Sequence, residues 1–339
     1  MTAKDIRKAE RLMDIAIRRA FLIPSSEIYG SPAGFYDYGP VGCSIKKKIE
    51  ELWRLEMLQK EGFHEIETSI ILPHAVLKAS GHADNFADPL VSCKSCKGKF
   101  RADQLLEQNE SARKDGVAAS GISPSQLSEL LKKYNVVCPN CKKPELSEVG
   151  WFNLMFSTNI GPIEGNTAYF RPETAQGIFL DYLRIIRNYG NKLPIGIGQV
   201  GKSARNEISP RQGIIRMREF TQMELEYFFD PSDQTHPKFD KIKKEKLRFA
   251  MEGGISEIEI GKAVESGLIA NQIMAYLLWK QKIIYTAAGI PQEKFAFRKM
   301  PKEETPHYSL GNVDMEVETS YGTIETAGTA YRTDYDLSQ

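Results

Sequence analysis

The chain has 339 residues, 41% of them hydrophobic and 26% charged, with a formal net charge of +1. That balance excludes a histone-like binder held to nucleic acid by charge alone, and the length allows two or more folding units around a sizeable core. No apolar run approaches the ~18 residues of a membrane span. The Arg-rich N-terminus carries Asp5, Glu10 and Asp14 and lacks the apolar stretch of a signal peptide, so a cytoplasmic protein with no membrane partner is expected.

In chain order, residues 4–21 read as a helix ending before Pro24. Gly and Pro punctuate 29–42, which reads as turns between short strands. Ile45, Ile49, Leu52 and Trp53 share one stripe, so 43–61 reads as an amphipathic helix that Gly62 stops. "FHEIETSIILP" reads as one strand closed by Pro73. Residues 84–150 differ in texture, with paired cysteines and a polar loop, and read as an insertion. A helix over 172–187 turns Ile178, Tyr182 and Ile185 inward. Strands over 195–203 and 214–229 follow, then a Lys/Glu-rich region read as helical, then strand alternation to the end. The expected division is a first core part (1–83), a zinc-binding insertion (84–150), core strands (151–231), a helical insertion (232–304) and further core strands (305–339).

Cys93 with Cys96, and Cys138 with Cys141, form two C-x2-C pairs, and Cys43 stands alone. In a large intracellular chain, such pairs favour a metal over disulfides. Each pair fits a tight knuckle, and four thiolates suit a tetrahedral Zn2+ with no open position, hence a structural one. The spacer exceeds the ~15–20 residues of a compact ribbon. The alternative is four reduced thiols without metal.

The stretch "ARNEISPRQGIIRMREFTQMELEYFF", 204–229, has an unusual ordering of charge. Period two places Arg216, Arg218, Phe220, Gln222, Glu224 and Glu226 on one strand face and Met217, Met223, Leu225 and Tyr227 on the other. Paired antiparallel with the strand before it, where Gln199, Gly201, Ser203, Arg205 and Glu207 share a parity, it makes a floor with arginines at one end. Glu224 and Glu226 lie ~20–26 Å from Arg218 at ~3.3 Å per residue. Arginine forks grip phosphate, carboxylates grip ammonium, and Phe220 offers a face to a purine. A solvated face with cross-strand ion pairs explains the same letters, so both readings stand at this point.

The segments "GFYDYGPVGCSIKKKIEELW", "SGHADNFADPLV", "FRADQL", "FNLMFSTNIGP", "YFRPETAQGIFLDY", the 204–229 stretch and "TAYRTDYDL" resemble, in this order, the dimeric glycyl-tRNA synthetases, which are class II aminoacyl-tRNA synthetases. The resemblance covers most of the chain. It implies an α+β fold, an antiparallel sheet flanked by helices, that carries out ATP-dependent activation of glycine and transfer to the acceptor end of tRNA(Gly). It also implies a homodimer whose interface includes the helix–strand unit ending at Pro73. On matching motifs it makes Arg205, Asn206 and Glu207 ATP ligands, with Arg205 on the α-phosphate and Glu207 on the adenine side. Ile215, Arg216, Met217, Arg218, Glu219 and Phe220 resemble the rest of the ATP strand, and Arg205, Glu207 and Arg218 the catalytic set. Glu173 resembles the ligand of the glycine ammonium. Glu224, with Phe220, Thr221, Gln222 and Met223, resembles the amino-acid site, and Arg101 a further substrate contact. Glu325 resembles an acid that binds ATP and Mg2+, with Thr326 beside it.

Two departures stand out. Ala327 sits near the place of a second acid, and the chain ends after "RTDYDL", where the family continues with its third class II motif and anticodon-binding domain. The expectation is an N-terminal fragment with weak or absent aminoacylation alone, and a partner chain supplying the rest would restore it. One rival is a non-catalytic binding protein on the same scaffold, like the accessory subunit of a DNA polymerase; it would be expected to lose Arg205, Glu207, Arg218 and Glu173. Another is a zinc-containing RNA-binding module, but no basic stripe with interleaved aromatics is present. "DKIKKEKLRF" (240–249) reads as a solvated helix face, while Arg211 and Gln212 are the loop residues expected to meet an RNA end.

Overall fold

The computed structural model describes residues 3–117, 119, 121–162, 165–210, 213–301 and 309–338. Arg211 and Gln212 lie outside the described residues. Helix α1 (Ala3–Arg18) leads to a ribbon of β1 (Leu22–Pro24) and β2 (Tyr36–Tyr38). Helix α2 (Pro40–Trp53) opens on a proline, whose missing N–H is no loss in a first turn, and continues through tighter and wider turns to Gly62 at φ +70°. Then come β3 (His64–Glu65), β4 (Ile71–Pro73), α3 (His74–Ala79) and α4 (His82–Asn85). The next unit holds β5 (Ala87–Ser92), β6 (Lys99–Arg101), α5 (Ala102–Glu107), α6 (Glu110–Lys114), α7 (Pro124–Lys133) and β7 (Gly150–Asn153). It is followed by β8 (Ser157–Asn159), β9 (Thr167–Phe170), α8 (Ala175–Asn188), β10 (Ile195–Ala204) and β11 (Glu219–Phe228). The last elements are α9 (Phe239–Ile242), β12 (Lys246–Met251), β13 (Gly254–Glu259), α10 (Ile260–Glu265), α11 (Gln272–Ala287), β14 (Phe295–Lys299), β15 (Gly311–Thr319) and β16 (Gly322–Tyr331). No helix among the described residues is long and apolar enough to cross a membrane.

The antiparallel pair β10–β11 lies between two apolar layers. Ile195 and Ile197 pack with Phe228 on Ile178 and Ile186 of α8. Val200, Met223 and Leu225 pack on Trp53, Met57 and Leu58, the tail of α2. On that second side β10 carries Gly196 and Gly198, where a Cβ would stand 2.4 Å from the Phe63 ring and 2.5 Å from Leu58. Small residues there let the helix tail sit directly on the strand.

Three expectations change. The run 63–73 is not one strand: β3 pairs parallel with β10, and β4 pairs antiparallel with β9. The chain crosses between sheets at Thr68, whose N–H and hydroxyl both donate to Gln199 Oε1 (2.7 and 2.9 Å). The ladder expected over 214–229 begins only at Glu219. Before it, the Arg218 N–H donates to Gly34 O at 2.7 Å, so 213–218 is held by loops rather than by β10.

The largest change is in 232–304, expected to be a helical insertion. It contributes β12, β13 and β14 to a sheet ordered β13-β12-β14-β15-β16, with α11 packed on its apolar face. The basic run 240–249 starts in α9 and enters β12 at Lys246, and only there does it alternate with period two, with Leu247 and Phe249 buried and Lys246 exposed.

A buried ionic cluster joins this second sheet's helix to the tail of α2. Lys280 of α11, 3% exposed, lies 3.1 Å from both Glu56 and Glu61. The Tyr276 hydroxyl donates to Glu61 at 2.7 Å, and Lys60 and Lys238 pair with the same two acids. Of the predicted α2 stripe, Leu52 and Trp53 pack into the core while Ile45 and Ile49 are exposed, as is Val41 upstream.

Candidate active site

The loop 171–174 organises the site. Arg171 is 3% exposed and donates to Lys202 O (2.7 Å), Thr68 O (3.1 Å), Thr68 Oγ1 (3.0 Å) and Gln199 Oε1 (3.2 Å). A Cβ on Gly201 would stand 2.3 Å from its Nη2, so the strand must have glycine there. The next residue, Pro172, accepts a bond from Arg205 Nε at 2.9 Å. Two residues on, the Thr174 N–H donates to Glu224 Oε2 at 3.0 Å, and its hydroxyl bonds the same oxygen. One short loop therefore links the cationic end of the β10–β11 floor to its acidic end, with Glu173 between them. Register agrees: Gln199 faces Glu224, Gly201 faces Gln222 and Ser203 faces Phe220.

At the acidic end, Gln176 Nε2 donates to Glu173 Oε1 at 2.7 Å, and His82 Nε2 stands 3.6 Å from the same oxygen. Burial pushes the Glu173 carboxyl up, but His82, Gln176 and Arg332 more than offset it and hold it at about 2. Burial and the charge of Glu173 push Glu224 up to about 7 against the bonds from Thr174 and the pull of Arg332. Glu226 is also pushed well above the usual carboxylate range, by burial first, with Arg332 opposing and Glu224 adding. Arg332 bonds Asp336 (Nη2–Oδ2 2.8 Å) and lies over the Phe179 ring at 5.2 Å. Three glutamates thus converge beside one guanidinium, an arrangement short of positive charge that suits a small ammonium. A carboxylate on the same ligand would have Arg332 to meet.

At the other end, the Arg205 guanidinium lies between the rings of Phe86 (5.3 Å) and Phe220 (5.4 Å). Arg218 donates to Glu207 O (2.8 Å) and Ala33 O (2.8 Å), which fixes the turn carrying Glu207. Arg216 Nη1 stands 3.6 Å from Glu207 Oε2. The Asn206 N–H donates to Leu154 O at 2.6 Å. Ile215 lies in a short 3-10 turn and Met217 is buried beyond the ladder.

Several residues expected at the site are carried on other faces or other sheets. Glu219, Thr221 and Met223 take the opposite parity to Phe220, Gln222 and Glu224 on β11. Glu219 is exposed and bonded by Lys202 at 2.6 Å, and Met223 packs on the α2 tail. Arg101, expected with glycine ligands, ends β6 and pairs with Asp88 (3.0 Å) and Asp103, at the Glu207 end of the floor. Glu325 and Thr326 sit on β16, in a different sheet from Arg205. A bulge there re-aims the strand: Met315 faces Ala327, but Glu316 faces Glu325. Thr326 Oγ1 donates to Met315 O at 3.1 Å. Asp314 joins this acidic face, its carboxyl pushed up to about 6 by burial and by the charge of Glu325.

The sequence reading missed His82, Thr174, Gln176 and Arg332 as site residues, while Ser203 takes the floor position its parity gave it. Ser203 Oγ, Gln176 Oε1 and Gln222 Oε1 are buried without a hydrogen-bond partner. Such buried atoms are open to bonds from a ligand or an ordered water.

The four paired cysteines converge, with all four sulfurs within 4.8 Å of one another and closest approaches of 3.6 Å (Cys93–Cys141) and 3.5 Å (Cys96–Cys138). A zinc tetrahedron with Zn–S of ~2.3 Å has an edge of ~3.8 Å, so the donor set fits. The residue after each second cysteine, Lys97 (φ 59°) and Lys142 (φ 62°), is left-handed, and both knuckles turn alike.

Comparison with known proteins agrees with this geometry. The family of tRNA synthetase class II core domains (G, H, P, S and T) matches residues 160–329. A glycine–tRNA ligase of Pyrococcus abyssi (strain GE5 / Orsay) is 48% identical over 339 residues, which make up 98% of this chain and 58% of that protein. The same enzyme of Methanocaldococcus jannaschii is 48% identical over 340 residues (97% and 58%), and that of Pyrococcus furiosus 47% over 339 (98% and 58%). The chain spans about 58% of the length of these relatives. The resemblance read from the motifs is borne out, and with it the mixed α/β fold with antiparallel sheets. The chain belongs to the class II tRNA synthetase core family.

Proposed function

We propose that the chain forms the part of a glycine–tRNA ligase that binds ATP and glycine and joins them as glycyl-adenylate, for transfer to tRNA(Gly). The observation that carries this is the loop 171–174, which bonds Arg205 and Glu224 from neighbouring residues and sets Glu173 between them. The glycine ammonium is met by Glu173 and Glu224, and its carboxylate is turned toward Arg205 and Arg332. Attack by a carboxylate oxygen forms the new O–P bond at the α-phosphate and breaks the bond to pyrophosphate, which departs with both electrons. Arg205 neutralises charge growing on the phosphoryl oxygens and holds the two reactants in line. Phe220 and Phe86, already stacked on Arg205, give the purine an apolar seat. Glu325 and Glu316, register partners across β15–β16, would offer oxygen ligands to the Mg2+ carried with ATP, which would supply positive charge to shield the phosphates. A binding protein on this scaffold has no use for a three-glutamate pocket joined to an arginine.

The remaining parts of the proposal are a structural zinc on Cys93, Cys96, Cys138 and Cys141, a cytoplasmic place of action where thiols stay reduced, and a homodimer built on the exposed Val41, Ile45 and Ile49 of α2. Titration calorimetry with glycine, ATP and a non-hydrolysable glycyl-adenylate analogue tests the central claim. The analogue binds far more tightly than either part, Arg205→Ala weakens ATP and the analogue, and Glu224→Gln weakens glycine and the analogue. Equal binding of the analogue by both variants and the parent would refute it.

A further inference from the structure

The loop from Arg205 to Pro210 does not stand alone. Ser209 is left-handed at φ 49°, a costly conformation for a residue with a Cβ, and its hydroxyl donates to Lys99 O on β6 at 2.6 Å. Asn206 is bonded to Leu154, just past β7, and Arg205 lies on Phe86, just before β5. The sheet β6–β5–β7 and its flanks therefore meet this loop at three places, one of them on β6. The hairpin β5–β6 is closed at its far end by the first cysteine knuckle, where the Cys93 N–H donates to Gly98 O at 2.8 Å. Its near end carries Asp88 and Arg101, 3.0 Å apart, and Arg101 also pairs with Asp103. Asp88, Arg101, Glu207 and Arg216 act on one another as a single group of charges, in which burial pushes Asp88 up and Arg101 and Arg216 hold it down. Asp88 Oδ2 and Glu207 Oε2 are both buried without a hydrogen-bond partner, so nothing but ionic neighbours compensates them.

We propose that the cysteine-closed hairpin β5–β6 is the positioning element of the nucleotide loop, and that Arg101 acts through Glu207 rather than on any substrate. Alternating charges make the logic plain: Arg101 stands between Asp88 and Asp103 and adds its remaining field to Glu207, which Arg216 meets from the other side. Without Arg101, the acids Asp88 and Glu207 repel, and the turn 205–210 loses the geometry that aims Arg205. The proposal rests on reading 205–218 as the nucleotide end, and the test separates the two.

Hydrogen exchange and ATP calorimetry on the zinc-loaded chain provide that test. In Arg101→Ala, exchange at Asn206–Ile208 rises at least tenfold while β10 and β11 keep their protection. Metal content and glycine affinity stay at parent values, and the Kd for ATP rises about tenfold. In a Glu207→Gln background, Arg101→Ala adds little further loss, because the two residues act as one unit. Arg101→Lys, which keeps the charge without the fork, falls between. Asp88→Asn serves as the second variant should Arg101→Ala fold poorly: it removes the acid that repels Glu207 and leaves Arg101 in place, so exchange in the loop does not rise, and a rise overturns the proposal. Unchanged exchange, or fully additive effects of Arg101→Ala and Glu207→Gln, overturns the proposal, as does a loss of glycine affinity in place of ATP affinity. Faster exchange in the loop with ATP affinity unchanged in both Arg101→Ala and Arg205→Ala overturns the nucleotide reading instead.

Discussion

Raising the pH from 6 to 8 tightens the binding of glycine, because Glu224 titrates at about 7 in the empty pocket. Burial is the main cause and the neighbouring charge of Glu173 the second, with Thr174 and Arg332 opposing. An ammonium ligand binds the ionised form, so its affinity follows the ionised fraction. For a carboxyl titrating at 7 that fraction is ~0.09 at pH 6 and ~0.9 at pH 8, a tenfold fall in apparent Kd or ~1.4 kcal/mol. Glu173, at about 2, is ionised throughout and adds no slope. Calorimetry of glycine binding in two buffers of different ionisation enthalpy reads both the Kd and the proton count. Close to one proton leaves per glycine bound at pH 6, and close to none at pH 8. Glu224→Gln flattens both curves. The sign is fixed by linkage: a carboxyl raised in the folded state contributes stability below its ordinary range and loses it as pH climbs through 7, so the empty chain weakens there and glycine restores it. A Kd independent of pH, or the same slope in Glu224→Gln, refutes the assignment of Glu224 to the ammonium.

Gly201→Ala drives a Cβ into Arg171 Nη2, which has no room to retreat among its acceptors, and costs about 2–4 kcal/mol; a lower urea midpoint at unchanged slope reads this. Lys280→Ala leaves Glu56 and Glu61 buried without their shared cation and costs about 3–5 kcal/mol in the same assay, and adding Glu56→Gln and Glu61→Gln recovers part of it. Cys138→Ser removes a buried sulfur of the four, so metal analysis finds no bound zinc and the segment 87–150 melts at a lower temperature than the rest.

The floor of the site was legible because β10 and β11 obey period two so strictly. Glycines facing the α2 tail, isoleucines facing α8, and Phe220, Gln222 and Glu224 on one parity leave little freedom in register. The cysteine cluster was legible for a similar reason, since paired spacing is a local signal. Arg332 and His82 were not. Each is a single residue whose role arises only when the fold sets it beside Glu173 and Glu226, and no spacing records that. The run 240–249 misled because lysines that alternate with Leu247 and Phe249 look, in composition, like a solvated helix. The break in 63–73 was hidden because strand propensity says nothing about partners; Thr68 leaves one sheet for another held by Gln199 and Arg171, both far away in the chain.

The place of Arg332 sets an order on how the molecule is made. On the ribosome, the acids of β11 emerge about 100 residues ahead of it, roughly 5–20 s at ordinary elongation rates. During that interval Glu173, Glu224 and Glu226 lack the Arg332 guanidinium, and their carboxyls favour water over burial. In the proposed reading, the arginines of the nucleotide end are translated early, and the amino-acid end gains its guanidinium only when Arg332 and Asp336 arrive.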